Sequence, residues 1–138
     1  MTKKKKVKQL SVVAKKKLAI ARASARQGKG IIRVNGKLID LIESKILSLM
    51  VREPLMLAGP LANEIDIDVN VHGGGVVGQT VAVRSAIAKA LVGFSKNEEL
   101  RKEFLDYDRM LLVDDPRQVE PKKPLGRKAR AKKQLSRR

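Results

Sequence analysis

The chain has 138 residues, a formal net charge of +17 at pH 7 and no cysteine. Its length allows one domain with a core of modest size, and the lack of cysteine excludes disulfides and thiolate metal sites. Residues 1–37 hold thirteen basic and no acidic residues, and residues 116–138 hold ten basic residues and one acid. Residues 38–115 carry a net charge of −5. A mildly acidic domain with two basic ends is typical of a protein that binds a polyanion.

The composition argues against several enzyme and membrane classes. With one His, one Tyr, two Phe and no Trp, the chain has too few ligands for a zinc site and too few rings for a base-stacking platform. A Ser-His-Asp triad would have to use His72, and no G-x-S-x-G elbow is present. No apolar run follows the N-terminal lysines as in a secretory signal, and we expect no stretch long enough to span a membrane. The sequence thus predicts a non-enzymatic protein that needs no cofactor or metal.

Charge and composition divide the chain into three parts. Residues 1–9 are a lysine-rich arm, expected to stay loose until it meets a partner. Residues 10–115 contain the periodic segments and form the predicted globular domain. Residues 116–138 contain three prolines, one glycine and almost no apolar side chains. We therefore expect this basic tail to be extended and mobile when free.

The first segments of the domain are predicted to be short strands. Residues 10–14 form a strand that three lysines interrupt. Residues 18–26 fit a helix by their alanines, and fit a hairpin strand by their alternating small residues and the glycine turn at 28–30. We take the hairpin strand. Residues 31–34 add a further strand, which ends at an Asn-Gly turn signal.

Two further helices are predicted on either side of the centre of the chain. Residues 43–57 have helical periodicity, with Pro54 expected to break or kink the helix and a Gly-Pro pair to end the segment. Its predicted inward residues are Ile46, Leu47, Met50 and Val51. Residues 97–105 form a short helix that Asn97 can cap. Residues 110–113 can add one last strand before regular structure stops.

The clearest pattern lies in the centre of the chain. Residues 64–72 alternate without a break between apolar and polar side chains, as in a strand with one buried face. Three glycines follow at 73–75, and residues 79–94 then change to a helical period. The apolar face of the predicted helix carries Val83, Ile87, Ala90, Leu91 and Phe94. We expect this helix to pack on the apolar face of the strand.

The glycine loop between this strand and helix has three interpretations. Gly73, Gly75 and Gly78 match the G-x-G-x-x-G fingerprint of dinucleotide-binding proteins. His72 with the three glycines also matches the oxyanion loop of lipase-like hydrolases. The third interpretation is a tight turn whose glycines serve packing, although a helix N-terminus at this point would also suit a phosphate.

Successive blocks of the sequence resemble one family, universal small-subunit ribosomal protein nine, known in eukaryotes as small-subunit protein sixteen. The resemblance runs in order from about Val12 to the C-terminus, and its last block looks most like the archaeal branch. The sequence departs from the family at 14–19, where a turn glycine and a hydroxyl are lost, and at the Ser136-Arg137-Arg138 ending. The matching blocks are 18–23, 28–30, 34–37, 52–54, 73–75, 82–91, 107–109 and 113–117.

The resemblance implies an α+β fold like the second domain of ribosomal protein S five. Helices would cover one face of a mostly four-stranded mixed sheet in a two-layer sandwich, with a left-handed βαβ crossover and an extended basic C-terminal tail. It also implies a structural place in the head of the cytoplasmic small ribosomal subunit, bound to ribosomal RNA and beside neighbouring head proteins. The tail would reach the peptidyl-site transfer RNA during translation. The glycine loop would then be an RNA-facing or packing turn.

The resemblance and the basic clusters together give the candidate binding residues. Arg137 and Arg138 are the candidates for transfer RNA, because a guanidinium fork suits a phosphate. The candidates for ribosomal RNA are Lys15, Lys16, Lys17, Arg22, Arg26, Lys29, His72, Gly73, Gly74, Gly75, Arg109, Arg117, Lys122, Lys123, Arg127, Lys128, Arg130, Lys132 and Lys133.

Two rival functions share some of these features. A histone-like DNA-compacting protein has similar charge and size, but it would bind duplex DNA alone at moderate salt. A dinucleotide-dependent enzyme fits the glycine motif, but its fold needs a longer series of strand and helix units than this chain supplies.

Overall fold

The computed structural model describes residues 9–42 and 44–133 and shows an α+β domain followed by a tail. The predicted α+β class is confirmed, whereas all of the N-terminal arm except Gln9 lies outside the described residues. Three 3-10 turns lie at Ile39–Leu41, Gly59–Glu64 and Arg109–Leu111. The strands and helices are β1 (Gln9–Lys16), β2 (Ala19–Gln27), β3 (Ile32–Val34), β4 (Lys37–Leu38), α1 (Lys45–Ala58), β5 (Ile65–His72), α2 (Val76–Ser95) and α3 (Glu98–Tyr107).

The strands form one mixed sheet in the order β1-β2-β5-β3-β4. β3 and β5 are parallel, and the other neighbours are antiparallel. The sheet has five strands where four were expected, because β4 adds a short edge strand. Asn35 and Gly36 between β3 and β4 have φ angles of 49° and 80°, as a two-residue hairpin turn requires.

The predicted hairpin strand at 18–26 is β2, but its hairpin partner is β1. β5 lies between β2 and β3, so the glycine turn at 28–30 does not join two paired strands. The lysines also do not interrupt the first strand, since β1 continues through Lys15 and Lys16 and turns at Lys17, which has a φ of 54°. The first correction arises because β5, far along the chain, lies between β2 and β3. The second arises because Lys15 and Lys16 pair with Ile20 and Ala19 of β2.

The core lies between one face of the sheet and α2. The buried alanines at every second position of β2 and the buried apolar residues of β5 lie on the same side of the sheet. On that side α2 packs on β1, β2 and β5. Small side chains on β2 leave room for a helix to approach the sheet closely. The predicted inward face of α2 is confirmed for Val83, Ile87, Ala90 and Leu91, with Phe94 half-buried at its edge.

The helix α1 packs on α2 but is rotated from its predicted orientation. Its buried residues are Val51, Pro54 and Ala58, whereas Ile46 is 72% exposed, so its inward assignment was wrong. Five residues at about 100° each put Ile46 about 140° from Val51 around the helix. Leu47 and Met50 are half-buried. Pro54 does not end the helix, which runs on to Ala58; the predicted first residue, Glu43, lies outside the described residues.

The helix α3 begins as predicted, and the expected last strand is absent from this part of the chain. The Asn97 side chain accepts a hydrogen bond from the backbone N–H of Glu99 at 2.9 Å and so caps the helix. Residues 110–113 were predicted as a strand, but Arg109–Leu111 is a 3-10 turn with Leu111 buried. A short apolar run does not distinguish a strand from a buried turn.

The helix α2 corrects our expectation that no stretch could span a membrane. By length and composition alone it could, because its 20 residues reach a mean hydropathy of 1.2. However, half of the most apolar window is buried inside the domain, and the helix carries Arg84 and Lys89. Its apolar character is therefore explained by its place in the core.

Candidate nucleic-acid interface

Four exposed basic residues share the face of the sheet that α2 does not cover. Arg22 and Arg26 alternate with the buried alanines of β2 and therefore point to the opposite face. Lys15 of β1 lies on the same face, two residues from the strand position paired with Arg22. Arg33 of β3 joins them, because it pairs in register with Asp68 of β5. We call the surface carrying Lys15, Arg22, Arg26 and Arg33 the open sheet face.

The two acids on the open sheet face already have partners. Arg26 Nη2 lies 3.4 Å from Asp68 Oδ2, and Arg26 Nε lies 3.9 Å from Asp66 Oδ2. Among the described residues, no carboxylate lies within 4 Å of Arg22 or Arg33. These two guanidinium groups are therefore free to bind an external anion.

Asp66 also organises the glycine turn at 28–30. Its Oδ1 accepts the backbone N–H groups of Lys29 at 2.8 Å and Ile31 at 2.9 Å. These two hydrogen bonds hold the pKa of Asp66 below its usual value, with a smaller contribution from the charge of Arg26. A Cβ on Gly28 would lie 2.0 Å from Asp66 Cγ, so the turn closes around the carboxylate only with glycine there. The turn leaves Lys29 exposed at the end of β2.

The glycine loop at 73–75 packs against the turn between β1 and β2. Gly73 and Gly74 have φ angles of 79° and 64°, and a Cβ on Gly73 would lie 2.4 Å from the carbonyl oxygen of Leu18. This close approach supports the packing interpretation for both glycines. Gly75 is the N-cap of α2, and a Cβ there would meet nothing within 4 Å. His72 is exposed at the end of β5.

The glycine loop and the turn between β1 and β2 bring several of the predicted RNA-binding residues together. They form a cleft of about 320 Å³ at the N-terminus of α2. The cleft is lined by Lys16, Lys17, Leu18, Gly74, Gly75, Val77, Gly78, Val81 and Val119.

Two of the predicted RNA ligands are bound within the protein. Asp115 accepts a hydrogen bond from Lys16 Nζ, and Arg117 donates to it from its backbone N–H and its guanidinium group. These bonds, first those of Arg117 and then that of Lys16, hold the pKa of Asp115 far below its usual value. The side chain of Arg117 is still 76% exposed, whereas that of Lys16 is 21% exposed.

The tail from 116 to 133 has no helix or strand beyond one isolated bridge between Gly126 and Lys132. Arg130 reaches back to Glu120, with nitrogen–oxygen distances of 3.1 and 2.8 Å, and this pair lowers the pKa of Glu120. The other predicted tail residues are exposed and without a carboxylate partner in the described part of the chain: Lys122, Lys123, Arg127, Lys128, Lys132 and Lys133.

The remaining predicted residues lie elsewhere. We call the three helices α1, α2 and α3, with the 3-10 turn that follows α3, the helical layer. Arg109 is exposed in this turn and so belongs to the helical layer, not to the open sheet face. Arg137 and Arg138 lie outside the described residues. Sequence reasoning missed Arg33, although its alternation with the buried Ile32 was a usable signal. In the part of the chain that the structure describes, no group of His, Asp and Glu could hold a metal ion.

Comparison with known proteins identifies the family. A family model described as ribosomal protein S9/S16 matches residues 14–138. The chain is similar to the small ribosomal subunit protein uS9 of Methanococcus maripaludis, with 46% identity over 94% of this chain and 98% of the relative. It is also similar to uS9 of Picrophilus torridus, with 49% identity over 90% of this chain and 93% of the relative. The uS9 of Pyrobaculum aerophilum is 48% identical over 88% of this chain and 86% of the relative.

These matches cover most of the chain and agree with the charge pattern and the fold. They exclude the enzyme interpretations of the glycine loop and outweigh the histone-like alternative. The chain belongs to the ribosomal protein S9/S16 family and is a structural, non-enzymatic protein of the small ribosomal subunit in the cytoplasm.

Proposed function

We propose that the chain binds the ribosomal RNA of the small-subunit head through its open sheet face, the turn between β1 and β2, and its tail. The observation that carries this proposal is the separation of charge over the surface. Arg22 and Arg33 are exposed on the open sheet face without a carboxylate partner in the described residues. On α3, by contrast, the exposed cations Arg101 and Lys102 are outnumbered by exposed acids: Glu98, Glu99, Glu103 and Asp106.

The binding is mainly to phosphates. Exposed Lys and Arg side chains on a sheet and on a flexible tail neutralise RNA strands that converge as the RNA folds. Contacts of this kind position the protein without reading the base sequence. The open sheet face has no Phe, Tyr or Trp side chain that could stack on bases, which fits a phosphate-binding role.

The finer features of the fold belong to the same proposal. We expect a left-handed crossover from β3 to β5, with residues 10–115 folding as one unit and 116–138 extending along RNA. The parallel pairing of β3 with β5, joined through α1, supports a crossover connection. The hand is the one that the family resemblance implies. The same placement implies contacts with neighbouring proteins of the head.

The salt dependence of RNA binding tests the main proposal. Each phosphate contact adds about 0.7–0.9 to the slope of log affinity against log salt. A chain cut after Asp115 should stay folded by circular dichroism, and its slope should be smaller by the equivalent of several phosphates. An unchanged slope would show that the tail does not bind RNA. Equal affinity for duplex DNA and for head ribosomal RNA would instead favour the DNA-compacting function.

The end of the tail is proposed to contact the peptidyl-site transfer RNA. Arg138, helped by Arg137, would donate to backbone phosphates there, each charge-assisted hydrogen bond contributing roughly 1.5–3 kcal/mol. Deleting both residues should leave subunit assembly intact and weaken retention of every transfer RNA at this site, as measured by filter binding or toe-printing. Unchanged retention would contradict the contact, and weaker retention of only one transfer RNA would indicate base reading.

A further inference from the structure

The start of the tail is tied to the outer edge of β1. Asp114 Oδ1 accepts hydrogen bonds from the backbone N–H of Lys15 at 3.3 Å and from Lys89 Nζ at 2.7 Å. Lys89, on α2, also donates to the carbonyl oxygen of Val13 at 3.3 Å. β1 is an edge strand, whose outward backbone groups need partners. Asp114 and Lys89 supply two of these partners, so the chain passes from the domain to the tail along this edge.

Asp115 fixes the next residues of the tail to the domain. Its side chain is only 4% exposed and accepts hydrogen bonds from both the domain and the tail. On the domain side the donor is Lys16 Nζ. On the tail side Arg117 donates from its backbone N–H and Nε at 3.0 Å and from Nη2 at 2.7 Å. One carboxylate thus joins β1 to the first residues of the tail, across Pro116 with its fixed φ.

We propose that Asp115, Lys16 and Arg117 form a clasp that fixes the direction in which the tail leaves the domain. Lys16 is then a positioning residue for RNA binding and not a phosphate ligand. Arg117 can do both, because its outer face remains exposed. The inference rests on the proposed RNA-binding role of the tail and deepens it.

The energetic reason is preorganisation. A segment that binds RNA must be ordered on binding, and each side chain that becomes immobilised costs conformational entropy. A clasp that has already oriented the first residues of the tail removes part of that cost before RNA arrives. Releasing the clasp should therefore weaken RNA binding, even where the released residues do not themselves touch RNA.

The clasp predicts that removing the negative charge of Asp115 weakens RNA binding, which is the opposite of the usual effect. Removing an acid from an RNA-binding protein normally strengthens binding, because net positive charge rises. Asp115→Asn in the full chain should instead weaken binding to head ribosomal RNA by about three- to tenfold at constant salt. Asp106→Asn, an exposed acid on α3, is the matched control and should leave affinity equal or slightly higher. An increase for Asp115→Asn equal to that of the control would overturn the clasp.

The role of Lys16 can be separated from a phosphate contact by the same assay. Lys16→Gln should lower RNA affinity by a similar factor while the salt slope stays unchanged. A fall in slope of about 0.7–0.9 would show that Lys16 binds a phosphate directly and would overturn its positioning role.

A distance measurement tests the clasp without RNA. Because the chain has no cysteine, Ser11→Cys and Val119→Cys give two unique sites for spin labels, on the open sheet face and on the tail. The distribution of distances between the labels should be narrow in the otherwise native chain and broad with Asp115→Asn. Asp115→Glu, which keeps a carboxylate for both Lys16 and Arg117, should leave it narrow.

An equally broad distribution with and without the native clasp would overturn the inference even if RNA binding is normal. Failure of the native chain to bind RNA would instead contradict the proposed function and leave the distance result standing. Circular dichroism of each variant shows that the domain itself is folded, so that a broad distribution reports on the tail alone.

Discussion

The helical layer and the open sheet face use arginine in opposite ways. In the helical layer, the Arg84 side chain is 13% exposed and bound on both sides. Its Nε lies 2.6 Å from Glu53 Oε2, and its Nη1 lies 2.9 Å from Asp108 Oδ2. Since these partners belong to α1 and to the end of α3, Arg84 joins all three helices. Arg22 and Arg33 on the open sheet face are exposed and have no such partners among the described residues.

The difference separates two roles that look alike in sequence. The motifs that contain Glu53, Arg84 and Asp108 all resemble blocks of the family, and the structure shows that they meet in one internal ion-pair cluster. A cation whose charge is satisfied inside the domain stabilises the fold, whereas an exposed cation without a partner on the open sheet face is available to an external anion. Each prediction below changes one side of this comparison and measures stability, binding or both.

The largest effect is expected in the core beneath the helical layer. Leu91 is fully buried on α2, so Leu91→Ala should lower the free energy of unfolding by about 2–5 kcal/mol in a urea titration. Leu105→Ala on the exposed side of α3 is the matched control, with an expected cost near 0.5 kcal/mol or less. A cost for Leu91→Ala as small as that of the control would mean that α2 has been placed with the wrong face inward.

A smaller decrease in stability is expected for the internal arginine. Arg84→Gln leaves the carboxylates of Glu53 and Asp108 without their cation and should cost about 1–3 kcal/mol. Both carboxylates are about a third exposed, so water offsets part of this cost. RNA affinity of the folded variant should not change. Weaker RNA binding at unchanged stability would show that Arg84 serves RNA binding and not the stability of the domain.

The reverse pattern is expected on the open sheet face. The double variant Arg22→Gln, Arg33→Gln should change stability by no more than about 0.5 kcal/mol. It should lower the salt slope of RNA binding by about 0.7–0.9 for each phosphate that the variant can no longer bind. The control is Lys102→Gln, which also removes an exposed positive charge, but from α3. It should leave the salt slope of RNA binding unchanged. If both variants lowered the slope equally, the charge would act without regard to its position.

The smallest effect concerns acid stability at the glycine turn. Since the folded pKa of Asp66 is lowered, its carboxylate stabilises the fold above the unfolded pKa of about 3.9. That contribution disappears as pH falls through the lower folded value. The difference in unfolding free energy between the native chain and Asp66→Asn should therefore be largest near neutral pH and shrink below about pH 4. A difference independent of pH would show that the charge of Asp66 does not matter.

Local periodicity was enough to predict the centre of the fold. The alternation in β5 and the helical period in α2 each span enough residues to identify one buried face, and the capping side chain of Asn97 marked the start of α3. These features depend on interactions between residues close in sequence. The glycine loop was also located correctly, although its packing against Leu18 was not visible in the sequence.

The errors arose where distant residues decide the structure. Lys16, predicted as an RNA ligand, donates its ammonium group to Asp115, 99 residues away. β2 and β3 do not pair, since β5 lies between them. Arg33 was missed although its alternation with Ile32 is local, and only its position beside Asp68 depends on the pairing of β3 with β5. Charge composition predicted a protein that binds a polyanion but could not tell internal cations from exposed ones.

Directed hydroxyl-radical probing tests the central claim most directly. Because the native chain lacks cysteine, iron can be tethered at Arg33→Cys on the open sheet face or at Lys102→Cys on α3 in assembled small subunits. The separation of roles predicts strong cleavage of head ribosomal RNA from position 33 and weak cleavage from position 102. Equal cleavage from both positions, or stronger cleavage from 102, would contradict the assignment of RNA binding to the open sheet face.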